Sequence, residues 1–252
     1  MLPNPTGPPK SDNLTLAISR LNDISFNRED IGVLEQALFA LLHVLVFVYW
    51  LGGDLGAFYT SHFLTRPDVS SDRRLMAAKI VGDVDMAPRT ALILALPTGL
   101  MLAESKGWMT LGWPLIGAIL VGSLVWLALA WKLHLAHNTP PAWIKTMDTV
   151  VRYGLILALI VSAGLALISL IQLPLFIALK LLVLAGCIAL GLYIRIVLRP
   201  LGPALMGLTG PNPSTAETDL ARTLNRARPL VMAIWALLAI AAFLGIWTPT
   251  SF

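Results

Sequence analysis

The chain has 252 residues, of which 57% are hydrophobic and only 13% charged, with a formal net charge of +4. Such a composition excludes a soluble domain of this size, and the basic residues form no patch interleaved with aromatics, so no nucleic-acid partner is expected. The single cysteine, Cys187, lies in an apolar run, which excludes an intrachain disulfide and any cysteine-based zinc or iron–sulfur site.

Residues 1–10 carry Pro3, Pro5, Pro8 and Pro9 and read as an irregular tail. No charged segment leads into an apolar core there, so no cleaved signal peptide is expected. From Ser11 onward, Leu14, Ile18 and Leu21 recur at helical spacing, with Ser11 or Asp12 as a cap. This predicts a short amphipathic helix at the membrane surface, the alternative being a loosely ordered tail. Residues 1–33 thus form a tail with an interfacial helix, and 34–252 a transmembrane domain.

Within that domain, apolar runs of about 20 residues recur, each long enough to cross roughly 30 Å of hydrocarbon as a helix. Alternation at period two is absent, which argues against a barrel. The expected fold is an all-α polytopic bundle with spans at 34–59, 86–103, 111–131, 153–171, 173–194 and 230–247. Pro97 is expected to kink the second span. Trp108, Trp113, Trp131, Trp143 and Trp247 fall near the expected ends, where amphipathic rings favour the headgroup level.

Lys and Arg set the expected orientation. Connection 60–89 holds Arg66, Arg73, Arg74, Lys79 and Arg89; the third connection holds Lys132, Lys145 and Arg152. The fifth holds Arg195, Arg199, Arg222, Arg226 and Arg228, whereas the opposite loops hold only Lys106. Lys10, Arg20 and Arg28 in the N-terminal segment run against this asymmetry, softened by Asp23, Glu29 and Asp30. The basic connections should face the cytoplasm and both termini the periplasm of a bacterial inner membrane. Asp85 with Arg89, and Asp148 with Arg152, are spaced i,i+4 and can pair at the inner interface. Gly99 and Gly164 follow each pair, a weak echo of a duplicated hairpin.

The first span carries the most informative residues. His43, Phe47, Trp50 and Asp54 share one helical face, and ionisable groups in lipid are costly, so that face should look into the bundle. Gly52 with Gly56, and Gly53 with Ala57, permit close approach of a neighbouring helix or a flat ligand. His43 lies roughly 13 Å below the outer end at helical rise. A neutral imidazole there could ligate haem iron or copper, with an acceptor on its other nitrogen; the alternative is a histidine hydrogen-bonded between helices.

Asp54 is deeper, and Arg89 or Arg152 are its expected partners in a structural ion pair; the alternative is a proton-relay or substrate role. Lys180, in the fifth span, has a depth like that of His43 and could meet a haem propionate or an anionic substrate, or snorkel outward. Met101 is a possible soft or axial ligand. His62, His134 and His137 could gather at the inner face around a metal. No phosphate-binding glycine loop, no Ser/His/Asp arrangement and no carboxylate dyad is evident.

His43 followed by Trp50-Leu51-Gly52-Gly53 resembles the first motif of copper-resistance D (CopD) type membrane proteins. Lys180-Leu-Leu-Val-Leu, then Gly191-Leu-Tyr193-Ile-Arg195 and Pro200, looks like that family's lysine helix, and Arg222 through Ala241, Gly245 and Pro249 is similar to its last helix. The same start resembles HemJ-type protoporphyrinogen oxidases, helical haem proteins whose functional His and Lys fall on His43 and Lys180. Asn225 and Pro229 echo an Asn-Glu-x-Pro motif of the latter without its Glu, and Arg228-Pro229 stand where CopD proteins often carry a glutamate. Asp54 belongs to neither pattern. The likeness covers spans one, five and six, span four less, and spans two and three hardly at all.

The expected function is therefore a membrane b-type haem protein in electron transfer or haem-linked oxidation. His43 would be an axial ligand, Lys180 would contact a propionate or substrate, Trp50 and the glycines, Gly53 among them, would shape the pocket, and Met101 or an open position would complete the iron. The alternatives are a copper-handling protein using His43 and nearby methionines, and a cofactor-free subunit of a larger membrane complex. Expected partners are the lipid bilayer and either membrane redox subunits or a second copy of the chain.

Overall fold

The computed structural model describes residues 28–135 and 142–249. The expected surface helix after Ser11 and the candidate ligand His137 lie outside them. Among the described residues there are α-helices and one 3-10 turn and no strand. The helices are α1 (Arg28–Ser61), α2 (Ser71–Val84), α3 (Met86–Ser105), α4 (Trp113–Leu135), α5 (Ala142–Leu167), α6 (Leu175–Val197), α7 (Leu201–Gly207) and α8 (Pro213–Trp247). Six helical stretches are long and apolar enough to cross a membrane. The chain is an all-α polytopic membrane protein.

The helices pack in chain order into a closed ring, α1 on α3, α3 on α4, α4 on α5, α5 on α6, α6 on α8, and α8 back on α1. The contact from α4 to α5 is the slightest of these. One end of the bundle gathers the start of α1, the α3–α4 and α5–α6 turns and the end of α8. There Gln36 donates to the carbonyl of Ser105 at 2.9 Å, and the amide of Phe176 donates to the carbonyl of Pro249 at 3.0 Å. We call this the terminal end. Its α3–α4 turn needs two residues of left-handed backbone, supplied by Gly107 (φ 67°) and Gly112 (φ 84°). The Glu104 carboxylate accepts from the amides of Leu111 (2.9 Å) and Gly112 (3.2 Å), which locks the turn against the end of α3.

The opposite end differs from expectation. Residues 71–84 and 201–207 are helical, and α8 begins at Pro213 rather than near 230, running through Pro229. Residues 71–84 and 213–229 are too polar to read as spans, and 201–207, though apolar, is too short. They fold on one another as a cap whose core is Leu64, Ala77, Ala204, Leu208, Ala216, Leu220 and Leu224. Buried Arg74 ties the cap together, donating to the Val69 carbonyl and to Glu217, both at 2.9 Å. In the exposed loop before α2, Arg66 hydrogen-bonds Asp68, which holds that carboxyl below its ordinary range. At the other boundary, α1 starts at Arg28, so residues 28–33 belong to the first helix rather than to the tail.

Within the ring, the main core joins Val46 and Trp50 of α1, Ala91, Leu92 and Ile93 of α3, Trp126 of α4, Leu159 of α5, Cys187 and Ile188 of α6, and Ile234 and Leu238 of α8. Outward faces are apolar and exposed, as lipid contact requires; Leu41, Val48, Leu124, Leu157 and Ile240 are examples.

Candidate functional site

His43 looks inward from α1, and its Nδ1 stands 3.0 Å from Oγ1 of Thr98 on α3. The Thr98 hydroxyl has one proton, and it donates back to the carbonyls of Leu94 at 2.8 Å and Ala95 at 3.3 Å. Serine and threonine in helices commonly make this bond. Thr98 must then accept from His43, so the proton of a neutral imidazole sits on Nδ1 and Nε2 keeps its lone pair. Gly99 makes the approach possible, since a Cβ there would lie 3.1 Å from Cε1 of His43.

The ring lines a cavity of about 540 Å³ at the terminal half of the bundle. Its walls come from α1, α3, α6 and α8, and are apolar and aromatic, with Phe47, Trp50, Trp108 and Phe176 among them. The polar exceptions are His43, Lys180 and Lys106. Lys180 lies over Gly245, where a Cβ would come within 2.6 Å of its Nζ. Among the described residues no carboxylate forms an ion pair with Lys180, and Lys106 is exposed at the rim. Val44 (54% exposed) and Ile246 (84% exposed) line the same cavity while facing outward from α1 and α8. The cavity therefore opens sideways, toward lipid, between these two helices.

Of the residues singled out in the sequence, His43, Lys180 and Trp50 meet in this cavity. Two do not line it. Met101 packs with Leu100, Ala103 and Ile116 in the neighbouring cluster, and the thioether in the wall is Met109, carried in by the α3–α4 turn. Gly53 faces α3 instead, where a Cβ would meet Ala87 at 2.6 Å and Pro88 at 2.7 Å; it is a helix-crossing point and not a pocket wall. Thr98 and Met109 carried no signal of their own in the sequence, and Gly99, Lys106 and Gly245 stood out there for other reasons, because each acquires its place in the cavity through contacts with helices distant in the chain.

A second cavity, of about 310 Å³, lies toward the cap. Trp50 and Cys187 border both cavities and form the wall between them. Asp54, Asp85, Arg89, Arg152, Arg195 and Arg228 line the second one. Asp85 pairs with Arg89 across one helical turn. Asp148 accepts from Arg152 at 3.1 Å, from Arg195 at 2.6 Å and from the Trp126 indole at 2.9 Å, and Arg152 stacks over that indole. Asp54 differs from expectation: Arg89 and Arg152 are each held by the carboxylate four residues earlier in the chain, Asp85 and Asp148, and Asp54 Oδ2 is buried without a partner.

The other histidines are scattered. His62, which opens the 3-10 turn after α1, bonds the Phe58 carbonyl four residues before it, and His134 stands 3.1 Å from Asp83. Among the described residues, no three His, Cys, Asp or Glu side chains are grouped to hold a metal ion. No protein-family model, curated protein or solved structure matches the chain.

Proposed function

We propose that the chain is a membrane b-type haem protein engaged in electron transfer or a haem-linked oxidation, with His43 as an axial ligand through Nε2. The observation that carries this reading is the His43–Thr98 hydrogen bond, which favours the tautomer with its proton on Nδ1 and leaves Nε2 bare in the wall of an apolar cavity. A ligating histidine needs such an acceptor on its other nitrogen. The cavity lies within the roughly 300–1,000 Å³ usual for cofactor sites. Its aromatic walls suit a flat macrocycle, and Lys180 and Lys106 are placed to meet two carboxylates. Bound haem supplies a one-electron couple whose potential the apolar walls and the His43 hydrogen bond would tune. Met109 is available as a second ligand, the other possibility being an open position. The resemblance to CopD and HemJ-type proteins supports the same two residues, His43 and Lys180.

A copper-handling role is the second reading, favoured by one observation: Met109 and Cys187, both soft donors, share the cavity wall with His43. The third, a cofactor-free subunit, would use the basic cap to dock a partner. On all three readings the Arg-rich cap faces the cytoplasm of a bacterial inner membrane and the His43 cavity sits in the periplasmic half.

The test is an absorption spectrum of protein purified after haem-replete expression, oxidised and dithionite-reduced, for the wild type and His43→Ala. A Soret band that sharpens on reduction and is lost in the variant supports haem and its ligand. A colourless wild type sinks the haem reading, and elemental analysis of the same sample then separates copper from no metal.

A further inference from the structure

We infer that the second cavity is a binding site for a phosphate-type oxyanion. Four guanidinium groups reach it from four different helices: Arg89 from α3, Arg152 from α5, Arg195 from α6 and Arg228 from α8. The carboxylates available to them are three, Asp54, Asp85 and Asp148, and two of these are already committed, Asp85 to Arg89 and Asp148 to both Arg152 and Arg195. Arg228 is the guanidinium left over. Its Nη1 donates to Asn225 at 3.1 Å, but Nε and Nη2 are buried with no acceptor.

Nε and Nη2 form the side-on edge of the guanidinium, the edge that grips two oxygens of a carboxylate or phosphate at once. A buried donor without an acceptor is costly, and more so on a charged group. Asp54 Oδ2 does not discharge this cost: it borders the same cavity and is itself unpartnered, so the two groups do not meet. The cavity thus has an excess of positive charge and an empty two-toothed donor edge. Its volume, about 310 Å³, exceeds one bare anion and leaves room for the group to which a phosphate is esterified, or for several waters at about 30 Å³ each. It borders the cap end, where basic residues concentrate, and the chemistry is the same whether the phosphate belongs to an anionic lipid headgroup or is free in solution.

The experiment measures thermal unfolding of the full chain in zwitterionic detergent, with inorganic phosphate titrated against chloride at equal ionic strength. The expected result is a saturable rise, roughly 5 °C at about a hundredfold excess over the dissociation constant, that chloride does not reproduce. Arg228→Met should lose the rise, while Arg226→Met, an exposed neighbour on the same helix, should keep it. Asp54→Asn should keep or enlarge it, because a competing negative charge is gone. Native mass spectrometry of the delipidated wild type assigns the source: a retained phosphatidylglycerol adduct that Arg228→Met lacks identifies a headgroup, and a phosphate response without an adduct identifies a free anion. The proposal is overturned if the wild type shows neither a phosphate response nor an adduct, or if Arg228→Met responds as the wild type does. It is overturned as well if Asp54→Asn and Arg228→Met destabilise equally, the double variant is no worse, and phosphate has no effect. That pattern belongs to an internal Asp54–Arg228 pair. Should Arg228→Met fail to fold, the wild-type titration and the Asp54→Asn arm still decide the matter.

Discussion

Thr98 accepts a hydrogen bond from His43 across the α1–α3 interface at 3.0 Å, and its own proton is taken by the carbonyl of Leu94. With the threonine proton so directed, Nδ1 of a neutral imidazole is the donor and Nε2 is bare. Thr98→Val keeps the shape and removes the acceptor, leaving Nδ1–H unpaired. Removing such a supporting partner lowers metal affinity by about 10–100-fold. On the proposed haem reading, the expected result is a loss of haem affinity of that size in Thr98→Val and unchanged affinity in Thr98→Ser, read by spectral titration. Equal affinity in Val and Ser variants would falsify the tautomer assignment.

Adjacent glycines on α1 should behave oppositely. A Cβ at Gly53 would overlap Ala87 and Pro88, whereas at Gly52 it would meet nothing within 4 Å. Gly53→Ala forces α1 away from α3, and overpacking of this kind costs about 1–3 kcal/mol. At roughly 2–4 °C per kcal/mol, the melting temperature in detergent should fall by about 2–12 °C. Gly52→Ala, on the exposed face, should be unchanged or slightly more stable. Equal losses at the two positions would show that the close crossing of α1 and α3 does not occur at Gly53.

The spans were legible because an apolar run of about 20 residues has one solution in lipid. The cap was not, since 71–84 and 213–229 are polar and reveal their apolar stripes only against Leu64 and Leu208. His43 stood out as an ionisable group within an apolar run, but its partner is 55 residues away and a lone threonine in a hydrophobic helix signals nothing. Met101 and Met109 illustrate the same limit: which thioether enters the cavity depends on how the α3–α4 turn folds back, a tertiary event. For Asp54 the expectation of Arg89 or Arg152 gave way to pairs one turn apart, Asp85–Arg89 and Asp148–Arg152, which close with little loss of chain entropy.

Asp148 should be the most sensitive acidic residue in the bundle. It neutralises Arg152, whose side chain is 3% exposed, and reaches Arg195 and Trp126 as well. Asp148→Asn leaves a buried guanidinium without its counter-charge, a change worth about 3–5 kcal/mol when such pairs are broken one-sidedly. The detergent melting temperature should drop by about 6–20 °C. The exposed pair Arg66–Asp68 is the control: Asp68→Asn should leave the melting temperature unchanged. A tolerated Asp148→Asn, melting within a degree or so of the wild type, would mean that water already compensates Arg152.

Trp50 separates the two cavities, standing beside Cys187 in the wall common to both. Both side chains are nearly sealed, at 4% and 1% exposure, so Cys187 should react slowly with thiol reagents in the native protein. Trp50→Ala removes the larger half of that wall. A buried tryptophan truncated in this way costs about 3–5 kcal/mol, so the variant is best studied at low temperature, where it remains folded. Removing the indole beside it would widen the second cavity and give small water-soluble maleimides a route from the cap side to the buried thiol of Cys187, the only cysteine of the chain, which makes mass spectrometry of the labelled protein unambiguous. The expected outcome is rapid, stoichiometric labelling of Trp50→Ala under conditions where the wild type is protected. Leu92→Ala, which opens the second cavity without touching the first, provides the comparison. If it labels as fast as Trp50→Ala, Trp50 is not what shields the thiol, and the two cavities are not divided where the structure divides them.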